Sequence, residues 1–297
     1  MPSIGEFFST WSFDLVSALT LLATGLAYGV LLTMLKRRGQ TWPVWRIVAF
    51  LVLGLGSYAF VEFGFFGTYR FELRWAFTTR IALLLYAVPL LLSLGRPLEL
   101  ARAARTDEAR ARFDKLLESW PIRLVSNAIF APIFALAFFM LFITPLAATM
   151  RLSHGWQNGI TIGAFLLGQL MLFPMLQKRE HRSEIFMVAE FLLAFVELML
   201  DAIPGVVLSI SNTVMDGATR VTTAAAHLPA WFPTALNDQH FSGNLLWMIA
   251  EGADIPILIL LFIRWGHQDK KTAKSIDDLT DEEFEALANQ HLKRPPR

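Results

Sequence analysis

Apolar residues run along this chain in long unbroken blocks rather than in alternation, and the blocks have the length of membrane helices. A hydrocarbon core about 30 Å thick needs roughly 20 residues of helix to cross it. Seven segments meet that requirement, near residues 15–35, 47–66, 75–94, 124–147, 158–176, 185–209 and 243–263. They are rich in Leu, Phe and Ala with scattered Gly and Pro, as membrane helices tolerate, and none shows the period of two expected of a barrel strand. The pattern predicts an all-α integral membrane protein: a seven-transmembrane-helix bundle over residues 1–266, followed by a cytoplasmic charged tail, 267–297. Within the tail, Thr280 followed by Asp281, Glu282 and Glu283 has the form of a capped helix start. The first charge of the chain is Glu6, so no basic region precedes the first apolar block, which is expected to be retained as a span.

The distribution of Lys and Arg predicts an orientation. The connections after the first, third and fifth segments and the C-terminal tail hold 21 of them, the opposite side only Arg70, Arg74, Arg151 and Arg220, and one, Arg80, falls inside the third segment. The N-terminus is therefore expected outside and the C-terminus in the cytoplasm, as an odd number of spans also requires. Residues 96–123 place apolar residues at helical spacing among many charges, the pattern of a helix lying along the headgroups. Residues 210–242 form the one long outer connection, rich in turn residues, with His240 in a polar loop.

Composition narrows the chemistry. With 26 basic and 25 acidic residues there is no charge excess to hold a nucleic acid, and the absence of cysteine excludes disulfides, zinc fingers, iron–sulfur clusters and thiolate copper sites. A retinal-type Schiff base needs a lysine in a span, and every lysine lies in a connection or the tail. Neither a phosphate loop nor a convergent Ser, His and acid set is present, so no enzymatic activity is expected. A metal would have to use His, Met or carboxylate. His154, His227 and His240 lie on the outer side with Met150 and Met215 nearby in sequence, a donor set that copper accepts, although no paired-histidine spacing accompanies them.

Seven charged residues fall inside the spans: Glu62, Arg80, Glu190, Glu197, Asp201, Glu251 and Asp254. Each is costly in hydrocarbon unless paired or hydrated. Glu190, Glu197 and Asp201, spaced by seven and four, share one helix face. Counted at 1.5 Å per residue, Arg80, Asp201 and Glu251 lie roughly 7 to 12 Å below the outer boundary, a depth at which Arg80 is expected to meet Asp201 or Glu251. A structural ion-pair cluster and a functional polar cavity both fit.

The order of short motifs is more specific than any one of them. "WSFD" opens the first span, "TWPVWR" leads into the second, "PLLLSLGRPLEL" closes the third and "GQLMLFPML" the fifth, and "DQHFSGNLLWMIAEGADIPIL" begins the seventh. In this the chain resembles the CtaG-like cytochrome c oxidase assembly factor family, most specifically through Asp238, Gln239, Gly243, Trp247 and Glu251. The resemblance implies a multi-pass protein of the bacterial plasma membrane that helps mature a haem–copper oxidase, in contact with oxidase subunits or their maturation factors, by handling copper or supporting its insertion. It also implies a pair of histidines on the third span. Counted back from Gly95, their positions hold Phe77 and Ile81, with Arg80 between. Three readings follow: an assembly factor or a paralogue of one lacking the usual copper ligands, a proton or metal-cation transporter using the acidic face of the sixth span, and a structural accessory subunit of a respiratory complex.

Overall fold

The computed structural model of the chain describes residues 2–125, 130–176, 184–216 and 229–277. Among the described residues there is no strand, and the chain folds as helices throughout. A short helix α1 (Ile4–Ser9) opens it, capped reciprocally by Ser3 and Glu6. Three long helices follow, α2 (Leu15–Arg37), α3 (Val44–Thr68) and α4 (Arg74–Ser93), each long and apolar enough to cross a membrane. The expected headgroup helix is three short ones, α5 (Pro97–Ala103), α6 (Asp107–Leu117) and α7 (Trp120–Val125). Then come α8 (Phe130–Met140), α9 (Leu146–Leu152), α10 (His154–Leu176), α11 (Glu184–Ile210) and α12 (Ala235–Asp277). The four later apolar segments fall on α8, α10, α11 and α12.

Helix α4 is the centre of the bundle. Of its apolar stretch 72% is buried, against 11% for α2, so α4 is wrapped by protein while α2 presents most of its surface outward. Phe77, Ile81, Leu84, Leu85, Val88 and Leu92 of α4 form the middle of the main core, with Tyr28, Phe50 and Tyr58 packed around them. Tyr28 and Phe50 stack with ring centroids 3.8 Å apart, joining α2 to α3. A second, mostly aromatic cluster of Phe65, Phe66, Leu73 and Trp75 lies at the end of the bundle where the chain begins.

Proline and glycine shape the contact of α4 with α10. Pro89 has no N–H to offer the Leu85 carbonyl one turn back, and the turn before it, Leu83–Ala87, widens so that Val88 donates five residues back to Leu83. The Leu85 carbonyl then lies against Gly168 of α10, where a Cβ would stand 2.3 Å from that oxygen and 2.6 Å from Pro89. Glycine at 168 is what permits this approach.

One expectation is corrected. Helix α12 begins at Ala235, capped by the Thr234 hydroxyl, which accepts from the Asn237 amide at 3.3 Å. Asp238, Gln239 and His240 are therefore helical rather than part of a polar loop; a Thr cap ahead of a polar first turn stops the loop earlier than hydropathy suggests. The same helix continues through Asp277. Thr280 and the acidic helix start of the tail lie outside the described residues.

Adding one methyl at position 168 tests the packing. Gly168→Ala is expected to lower stability by about 1–3 kcal/mol through overpacking against backbone, seen as a lower unfolding temperature in detergent. Gly159→Ala on the same helix, where nothing lies within 4 Å of a new Cβ, is expected to leave that temperature unchanged or slightly raised.

Candidate functional site

Helix α4 carries polar residues on two faces of its first two turns. Arg74 and Thr78, four apart, face α12, and Arg80 faces the opposite way toward α3 and α10. The chain leading into α4 adds Arg70. All three arginines are buried, Arg80 to 1% exposure, and a buried cation has to be paired and fully hydrogen-bonded to be tolerated.

Arg80 meets that requirement. Its Nε and Nη2 each donate to Glu62 of α3 at 2.9 Å, Nη1 donates to Gln157 of α10 at 2.7 Å, and Nη2 also reaches Thr161. Gln157 and Thr161 are one turn apart on α10, so a single helix face supplies both. Glu62, 0% exposed, accepts in addition from the Ser17 hydroxyl of α2 at 2.6 Å. Its position is set by a break in α3 at Gly64 and by Gly67, where a Cβ would stand 1.7 Å from the Glu62 carbonyl. The carboxylate that holds Arg80 is Glu62; Glu251 accepts from the Trp247 indole instead, and the side chain of Asp201 lies outside the described residues. Glu62 lies one turn from the end of its own apolar segment, as deep as Arg80, and that was the available signal.

The Gln157 amide joins this pair to a second network. Its Nε2 donates to the Arg151 carbonyl at 2.8 Å. Arg151 and Arg74 both reach Asp216, at 3.4 and 3.6 Å. Arg74 also donates to Gln239 at 2.7 Å and to the Phe142 carbonyl at 2.5 Å. Asp238 of α12 accepts from the backbone amides of Arg74 and Trp75, at 2.8 and 2.9 Å, and so caps the N-terminus of α4 from another helix. Thr78 and Ser242 share a hydrogen bond of 2.7 Å, and Gln239 spans from Arg74 to the Thr213 carbonyl. At the near edge, Arg70 pairs with Asp14 at 2.6 Å. Burial raises the Asp14 carboxyl, but the Ser17 amide and the Arg70 guanidinium outweigh it and hold the group at about 2, below its ordinary 3.8. Arg70, Arg74, Arg80 and Arg151 are thus met by Asp14, Glu62, Asp216 and Asp238, four cations by four carboxylates. Arg70, Arg74 and Arg151, which the sequence reading counted as loop charges, are internal: nothing in local sequence marks a loop arginine whose acid lies far along the chain.

The remaining sequence candidates separate. Gly243 of α12 crosses Gly205 of α11 so closely that a Cβ at Gly243 would stand 2.5 Å from the Gly205 carbonyl. The Trp247 indole donates to Glu251, one turn on. The side chains of Glu190, Glu197, Asp201 and Asp254 lie outside the described residues, as does His227 entirely. His154 is exposed, its ring 4.6 Å from that of Phe71, and His240 Nε2 is 2.9 Å from the Ser211 carbonyl. Among the described residues no three His, Cys, Asp or Glu are grouped to hold a metal ion. At the two positions where the resemblance expects histidines, Phe77 packs edge-on against Phe142 and Ile81 is fully buried. Two apolar side chains flanking a saturated guanidinium do not fit copper.

Comparison with known proteins gives this geometry a context. The model of the family described as cytochrome c oxidase caa3 assembly factor (Caa3_CtaG) matches residues 26–268. Uncharacterized proteins of Mycobacterium bovis and Mycobacterium tuberculosis are each 26% identical over 302 residues, covering 96% of this chain and 44% of their own length. One from Mycobacterium leprae is 25% identical over 292 residues, 95% of this chain and 43% of that protein. The chain thus spans less than half the length of the curated relatives it matches. No solved structure matches it.

The Asp14 pair makes an acid-dependent contribution with a definite sign. A carboxyl held below its ordinary value stabilises the fold above about pH 4 and loses that contribution as pH falls through its folded value near 2. Thermal unfolding of the wild type is expected to steepen in that window, and Asp14→Asn to be less stable at neutral pH with a flatter profile below pH 4. Parallel profiles would show that the pair contributes nothing.

Proposed function

The chain belongs to the cytochrome c oxidase caa3 assembly factor family, and on that premise we propose that it supports maturation of a haem–copper oxidase by binding the oxidase or its maturation factors, as a member without copper ligands on α4. The observation that carries this reading is the Arg80–Glu62 pair between Phe77 and Ile81. A permanent cation already paired with a carboxylate repels a metal ion. The polar end of the bundle is balanced, arginine against carboxylate, which suits a rigid scaffold that presents a surface better than a relay that exchanges ions. Membership in an assembly-factor family supports a non-catalytic role.

The proposal includes a seven-helix arrangement in the bacterial plasma membrane, with the N-terminus and the polar networks on the outer side and the tail in the cytoplasm. The three long apolar helices α2–α4 support a membrane location, and the asymmetry of Lys and Arg supports the direction. Burial of Arg70, Arg74 and Arg151 sharpens that asymmetry, because it removes three of the four charges counted on the outer side. On this reading any copper that passes is cargo held by a partner. A transporter acting through Glu190, Glu197 and Asp201, or a structural accessory subunit of a respiratory complex, finds no specific support in the described residues.

Deletion of the gene is the test. Oxidase activity and the copper and haem content of the purified oxidase are expected to fall several-fold, and re-expression of the wild-type chain to restore both. Unchanged activity and metal content in the deletion strain would overturn the proposal.

A further inference from the structure

At the end of the bundle away from the polar networks, the α2–α3 turn and helices α5–α7 build a surface of a different kind. Residues 36–46 and 96–123 hold eleven Lys and Arg against five Asp and Glu, an excess of six positive charges. Helix α5 is anchored beneath by Leu100 and Ala104, both fully buried, so the surface is a fixed part of the fold. Within it Arg105 is pre-set: its guanidinium lies 4.1 Å over the Phe113 ring, and one Nη donates to the Ala101 carbonyl at 2.7 Å. Arg38, at the end of α2, donates to the Arg105 carbonyl, which ties the Arg38 side chain to the backbone at Arg105. Two of the five acids are paired within this surface, Glu99 with Arg96 at 2.7 Å and Asp114 with Arg102 at 2.8 Å, while Asp107 and Glu108 stand exposed at the start of α6. Around this basic surface stand apolar side chains open to the surroundings, Trp45 at 59%, Leu116 at 59% and Trp120 at 74% exposure. Facing water such residues would be a liability. At a bilayer interface, indole rings and a leucine beside arginines are at their preferred depth.

We propose that this end of the bundle docks anionic phospholipid headgroups, with Arg38 and Arg105 clasping a headgroup phosphate while Trp45, Leu116 and Trp120 sit among the neighbouring lipids. The Phe113 ring holds the plane of Arg105, and a planar guanidinium can bind phosphate through two hydrogen bonds along one edge. Charge alone attracts anionic lipid diffusely; the fixed pair of arginines makes one place on the surface specific. The site stands apart from the oxidase proposal and does not depend on it.

The test uses the full chain in nanodiscs of phosphatidylcholine alone and of phosphatidylcholine mixed with phosphatidylglycerol. Phosphatidylglycerol is expected to raise the unfolding temperature and to stay bound in native mass spectrometry. The double variant Arg38→Gln, Arg105→Gln should lower retention about thirtyfold, the change that two surface arginines supply. The equally charged control Arg112→Gln, Lys115→Gln should lower it much less. Arg105→Lys, which keeps the charge and loses the fork, is expected to fold and to fall between wild type and the double variant. Inorganic phosphate added to phosphatidylcholine discs should not reproduce the stabilisation. No phosphatidylglycerol effect, an equal loss in both double variants, or full replacement by free phosphate would each overturn the proposal.

Discussion

The ion pair between Arg80 and Glu62 is the constraint around which one end of this protein is arranged. A guanidinium buried at 1% exposure in the central helix is tolerated only if its charge and its N–H groups are answered, and three other helices are placed to answer them. Glu62 supplies the charge from α3, Ser17 steadies Glu62 from α2, and Gln157 and Thr161 close the ring from α10. Helix α4 cannot rotate or slide without breaking several of these bonds at once. The second network, built on Arg74 and Asp238, fixes the same helix against α12, and the Gln157 amide ties the two together. What would be a weakness in a water-soluble core becomes, where apolar contacts with lipid and with protein are nearly equal, a means of specifying which helices touch.

This arrangement bears directly on function. The family to which the chain belongs is described by its part in oxidase assembly, and the first turns of α4 are where the resemblance leads one to look for metal ligands. Instead Phe77 and Ile81 are packed into the core and Arg80 is paired with Glu62. On the proposed reading fold and chemistry part company here, the scaffold standing without copper ligands on α4. The two ends of the bundle differ in character, one a balanced lattice of buried charges, the other a basic layer.

Much of the architecture was legible in the sequence because hydropathy at helical length is a strong signal. The helices α2, α3 and α4 lie where the apolar blocks placed them, and α4, nearly all hydrocarbon after Trp75, is the most buried. The site was legible only in part. Arg80 stood out as a charge in an apolar run, and depth correctly required a carboxylate, but three helices offered acids at similar depth and sequence has no means of choosing among them. Arg74 and Arg151 were invisible because a loop arginine and a buried one look alike until Asp216 is brought beside them from 65 residues away or more. Asp238 and Gln239 were noticed as a motif without a mechanism, and the structure supplies one: they cap and brace α4 from α12.

A double-mutant cycle on Arg80→Met and Glu62→Leu, read by unfolding in detergent, tests the central claim most directly. Each single variant leaves a buried charge without its partner and is predicted to lose about 3–5 kcal/mol. The double variant, with two apolar side chains of similar volume, is predicted to recover most of that loss, giving a coupling of several kcal/mol. Losses that simply add, with no recovery in the double variant, would contradict the account.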